Sequence, residues 1–93
     1  MNCFKRSTVV HKENRYHVFT GGQGSGKRIH RAYIYKEVNE GLVLMHSIVD
    51  EPRVSILGLY PEVQGNEIRL VLSGRDRDQT LTTLNLDEMA ESR

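Results

Sequence analysis

Hydrophobic and polar positions alternate with a period of two over most of this chain, as they do in β-strands with one buried face. The clearest stretch is Glu67–Ser73, where Ile68, Leu70 and Leu72 face one way and Glu67, Arg69 and Ser73 the other. Ile29–Val38 sets Arg31, Tyr33 and Tyr35 against Ala32, Ile34 and Val38. Arg53–Tyr60 places Val54, Ile56 and Tyr60 opposite Ser55, Leu57 and Leu59. Thr80–Leu86 aligns Leu84 and Leu86 with Thr80 and Thr82. In Gly41–Ile48, Leu42, Leu44, His46 and Ile48 oppose Val43, Met45 and Ser47; both faces are largely apolar, which suits the centre of a sheet. Two weaker segments, Arg15–Thr20 and Phe4–Val10, bring the expectation to six or seven strands.

Hairpin chemistry lies between these runs. Asn39-Glu40-Gly41 and Gln64-Gly65-Asn66 each supply a glycine for positive φ, and Ser73–Asp78 is a polar turn. Asp50-Glu51-Pro52 ends a strand, because proline cannot donate to a ladder. Short strands at this spacing indicate an all-β antiparallel meander forming a small barrel or sandwich. Helix is confined to one short C-terminal turn over Asp87–Glu91, with Asn85 or Asp87 as its N-cap, and the expectation there is a frayed tail or a turn docked by Met89. The whole of residues 1–93 reads as a single β-rich domain.

Length narrows the classes. At 93 residues the chain is too short for a doubly wound nucleotide-binding domain, and a (β/α)8 barrel needs roughly 250. The single cysteine, Cys3, permits no intrachain disulfide and has no activating base beside it in sequence. The first stretch lacks the apolar run of a secretory signal, residue 2 is Asn2 where N-myristoylation needs glycine, and no segment approaches a bilayer span. The expectation is a cytoplasmic protein with no membrane partner.

Charge is distributed unevenly. Formal net charge is only +1, yet residues 1–36 carry eight Lys and Arg against the single acid Glu13, and the other eleven acids follow. Phe4, Tyr16, Phe19, Tyr33 and Tyr35 are interleaved with the basic residues. A basic sheet with exposed aromatics can stack bases and contact phosphates. The same residues can fill a core or pair with the acidic remainder, and a sequence pI near 7.9 is low for a dedicated nucleic-acid domain.

Gly21-Gly22-Gln23-Gly24-Ser25-Gly26-Lys27 resembles, over seven residues, the phosphate-binding loop of P-loop nucleoside triphosphatases. That resemblance implies nucleotide or phosphate binding by residues 21–27. Arg28, however, stands where the motif needs a hydroxyl for magnesium, and the next segment alternates as a strand where the motif needs a helix N-terminus. A hairpin tip able to order on a partner fits these residues better.

Histidine spacing (His11, His17, His30, His46) gives no metal signature, and His46 reads as a buried, hydrogen-bonded side chain. Adjacent acids such as Asp50-Glu51 point to opposite faces of a strand, and no nucleophile–base pair emerges. The expectation is therefore a small non-catalytic binding protein, without cofactor or metal, acting by contact with a macromolecule. A protein partner is favoured (an inhibitor, adaptor or subunit role, a second copy included), with nucleic acid as the alternative. The residues expected to make contact are Gly24, Lys27, Arg28, Arg31, Tyr33 and Tyr35.

Overall fold

The computed structural model describes residues 3–23, 28–51 and 56–91. Seven strands run in order: β1 (Cys3–His11), β2 (Asn14–Gln23), β3 (Ile29–Val38), β4 (Gly41–Val49), β5 (Ile56–Gln64), β6 (Glu67–Gly74) and β7 (Asp78–Asn85). A short helix, α1 (Leu86–Glu91), follows. Strands β1-β2-β3-β4 form one antiparallel meander and β5-β6-β7 a second. The two sheets stack as a sandwich, in a molecule about 40 × 26 × 17 Å across. The all-β meander expected from the alternation is the observed fold.

The core lies between the sheets. Val9, Tyr16, Val18, Ala32 and Ile34 come from the first sheet, Leu59, Ile68, Leu70 and Leu72 from the second, and Leu86 and Met89 from α1. Strand β6 is the centre of its sheet, and Ile68 and Leu70 are wholly enclosed. The inner face of the first sheet also encloses Thr20, His30 and Lys36.

Three β-bulges interrupt the alternation, and each corrects a strand reading. In β4 the register passes from Ile34↔His46 to Tyr35↔Leu44, so Met45 is an extra residue that turns onto the core. The run Leu42, Leu44, His46, Ile48 is thereby divided. Leu42 and Leu44 face solvent, whereas His46 and Ile48 face inward. Strand β4 is an edge of its sheet rather than the centre, and His46 is half-buried rather than enclosed. In β7 the bulge at Leu81 likewise turns an apolar side chain onto the core. In β5 the bulge at Leu57 lets Ile56 and Leu59 both meet the core while Leu57 stays exposed. That strand begins at Ile56 and runs through Pro61 to Gln64; residues 52–55 lie outside the described residues. Proline is tolerated here because β5 is an edge strand.

Turns follow local chemistry. Gly65 sits at φ +58° and Gly41 at φ +143°. The β1–β2 turn is less comfortable: Lys12 and Glu13 both hold positive φ without being glycine.

Helix α1 closes one end of the sandwich although six residues cannot form a stable helix alone. Asn85 is its cap, accepting a hydrogen bond from the Glu88 amide at 3.0 Å. The buried Tyr16 hydroxyl donates to the Leu86 carbonyl at 3.5 Å, and Lys36 Nζ donates to the Ala90 carbonyl at 3.2 Å. The latter places a cation at the helix C-terminus, where it opposes the helix dipole. Asp87 anchors the first turn. It meets His11 Nε2 at 2.9 Å and Lys12 Nζ at 3.1 Å, and accepts from Asn66 Nδ2 at 3.1 Å. These three partners hold its carboxyl well below the ordinary range, the His11 hydrogen bond most strongly.

Two outcomes follow from this packing. Leu70→Ala is expected to destabilise the fold by roughly 2–5 kcal/mol in urea titration, because the cavity opens at the centre of the core. Stability measured against pH is expected to hold down to about pH 4, the ordinary carboxylate range. Below that it declines, because a depressed carboxyl loses its contribution only as pH falls from the unfolded value through the folded one. Asp87→Asn should be less stable than wild type at neutral pH and show a shallower acid decline.

Candidate functional site

The outer face of the four-stranded sheet is uncovered, and the strand register determines what it displays. One row across the sheet is Phe4–Gly21–Arg31–Val49, and the next is Arg6–Phe19–Tyr33–Ser47. The third is Thr8–His17–Tyr35–Leu44. Val10 pairs with Arg15, and Glu37 with Leu42, at the far end. Four aromatic residues drawn from three strands thus meet at the middle of one face.

The aromatics pack on one another. Phe19 and Tyr35 meet edge to face, with ring centroids 5.7 Å apart and planes at 86°. Phe4 and Tyr33 lie 6.0 Å apart at 47°. Phe4 pairs across from Gly21, a position with no side chain of its own. Together with Leu42 these rings line an open groove of about 510 Å³. The rim is aliphatic: Val10, Leu42, Leu44 and Val49 are each about half exposed or more. Isolated exposed apolar residues are normal; here Leu42 and Leu44 stand beside the aromatic groove, whereas Val10 and Val49 stand at opposite ends of the face.

Charge surrounds the groove without entering it. Arg6, Arg15 and Arg31 stand on this face, and no carboxylate is in salt-bridge contact with any of them among the described residues. Arg31 is half-buried, and its Nε is enclosed without an acceptor. Among the described residues the acid within the strands of this face is Glu37, and it is engaged by His17 Nε2 at 2.9 Å. That hydrogen bond, aided by the nearby charge of Arg15, holds the Glu37 carboxyl below its ordinary value.

Of the residues expected to make contact, Arg31, Tyr33 and Tyr35 lie on this face. Gly24 and Lys27 fall outside the described residues. Arg28 belongs elsewhere: it lines a separate cleft of about 310 Å³ on the inner side, with Lys5, Gly21, Gly22, His30 and Leu57 among its walls. Gly22 packs closely there: an added Cβ would lie 3.2 Å from His30 Nδ1, so the imidazole would have to shift by a few tenths of an ångström. The segment after the glycine loop is strand β3, so no helix N-terminus stands behind Gly21–Lys27 as the P-loop arrangement requires.

Sequence reasoning missed the contributions of Arg6, Val10, Arg15, Leu42, Leu44 and Val49, and did not set Phe4 and Phe19 beside Tyr33 and Tyr35. The signal that finds them is hairpin register. Pairing β1 to β2 through the Lys12-Glu13 turn brings Arg6 opposite Phe19, and the β2–β3 register brings Phe19 opposite Tyr33.

No protein-family model, curated protein or solved structure matches the chain. Among the described residues no group of three His, Cys, Asp or Glu is placed to hold a metal ion, and no helix is long and apolar enough to cross a membrane.

Proposed function

We propose that this protein is a small non-catalytic binding domain that docks a protein partner on the outer face of β1–β4. The observation that supports this reading is the aromatic groove with its half-exposed aliphatic rim. Leaving such a surface in water forgoes about 25 cal/mol for each Å² of apolar area, which a partner recovers by covering it. Aromatic anchors flanked by arginine are also the residue types that dominate protein-interface energetics. The flanks, β1 and β4, are sheet edges and leave the face accessible from both sides.

Nucleic acid is the second reading, favoured by arginines standing among aromatic side chains. The aliphatic rim supports a protein partner instead. Leu42, Leu44, Val10 and Val49 offer a phosphate backbone no charge, and the described part of this face carries no lysine.

The test is affinity capture from an extract of the source organism, comparing wild type with Leu42→Asp/Leu44→Asp and with Thr80→Asp on the opposite sheet. Circular dichroism verifies that each variant is folded. The expected result is a protein retained by wild type and Thr80→Asp and reduced at least about tenfold by the double substitution, a loss of roughly 1.4 kcal/mol. Equal capture by all three, or a retained species destroyed by nuclease, contradicts the reading.

A further inference from the structure

We infer that the occupant of the β1–β4 face is an acidic protein segment whose apolar side chains enter the aromatic groove while its carboxylates meet Arg6, Arg15 and Arg31. This inference rests on the docking reading above and specifies the chemistry of the partner.

The argument begins with the arginines. Three arginines share the face with an apolar groove, no carboxylate of the described residues is in salt-bridge contact with them, and Glu37, which feels the charge of Arg15, is hydrogen-bonded to His17. Arginine in this setting presents paired donors matched to the two oxygens of a carboxylate. Beside an apolar surface that excludes water, such pairs select the partner by charge as well as hold it. The groove supplies the second requirement, because aromatic and leucine walls take apolar anchors rather than a fully solvated acidic chain.

A second copy docked face to face does not meet these requirements. It would bring both sets of Arg6, Arg15 and Arg31 together across an apolar seam with only Glu37 from each copy to offset them, and like charges at an interface are costly. Docking this face onto the outer side of the second sheet would be head to tail, giving a ring or an open filament, and its acids are already engaged there, Glu62 by Arg69 at 3.5 Å and Asp78 by the Tyr60 hydroxyl at 2.8 Å.

Stacked nucleic-acid bases fit poorly for a geometric reason. A stacking platform presents ring faces to successive bases. Here Phe19 and Tyr35 meet at 86°, so one ring turns its edge to the face of the other.

The experiment selects a random-peptide display library at low ionic strength on the full chain, in parallel on wild type, on Arg6→Glu/Arg15→Glu and on Leu42→Asp/Leu44→Asp. Arg6 and Arg15 are exposed, so their reversal leaves the core untouched. Wild type is expected to enrich peptides combining Asp or Glu with Leu, Phe or Trp, in a way that requires Leu42 and Leu44. A synthetic peptide of that kind is expected to bind roughly tenfold more weakly to the arginine variant and to weaken as salt rises. The arginine variant, its fold verified by circular dichroism, is expected to enrich peptides that carry Lys or Arg together with apolar residues, a gain abolished when Leu42→Asp/Leu44→Asp is added. Arg31→Gln, which removes the charge and keeps a polar side chain, should also weaken the acidic peptide.

Apolar peptides that need Leu42 and Leu44 but ignore the arginines would overturn the inference while leaving the docking reading intact. Absence of any enrichment that depends on Leu42 and Leu44 would overturn both. Displacement of the peptide by mixed-sequence single-stranded DNA, or concentration-dependent self-association that buries the face, would also overturn the inference.

Discussion

A β-sheet has two faces, and stacking two sheets covers only one face of each. In this chain the covered faces meet over Ile34, Ile68, Leu70 and Leu72, with Tyr16 and Leu86 closing one end. Everything on the other side of β1–β4 must then face water. That side holds Phe4, Phe19, Tyr33, Tyr35 and an aliphatic rim, which is an unusual load for a solvated surface. The second sheet behaves differently. Its outer side carries Glu62, Arg69, Asp78 and Thr80, with Arg69 bonded to Gln64 and near Glu62, and the Tyr60 hydroxyl donating to Asp78 at 2.8 Å. The molecule therefore has one outer face made for water and one that is not.

The bulges refine this division. An added residue reverses which side the following side chains take. At Met45 the reversal sends Leu44 outward beside Tyr35 and His46 inward beside Ile34. Without it, Leu42 and Leu44 could not share a face with the aromatic rings while Ile48 packs on the core. The same device at Leu81 and Leu57 supplies extra apolar contact to the core and leaves Leu57 in solvent.

Much of the fold was legible from residue types alone. Ile68, Leu70 and Leu72 alternate without interruption, and they are core; Ala32 and Ile34 face the core opposite Arg31, Tyr33 and Tyr35, as their spacing implies. The bulged strands were misread because alternation assumes one residue per step, whereas a bulge depends on the partner strand. The site was only partly legible for a similar reason. Tyr33 and Tyr35 declare a face, but joining them to Phe4, Phe19 and Leu44 requires the register of three hairpins. The glycine loop drew attention through its composition, while Arg28 at its exit proved to line a different cleft.

The central claim is that the outer face of β1–β4 is a protein-docking surface. Hydroxyl-radical footprinting of the protein, alone and in complex with its captured partner, tests it most directly. Phe4, Tyr33, Leu42 and Leu44 should be oxidised in the free protein and protected in the complex, with Tyr16 protected in both. Protection confined to Tyr60 and the rest of the second sheet, with Leu42 and Leu44 equally reactive in both states, would contradict the account.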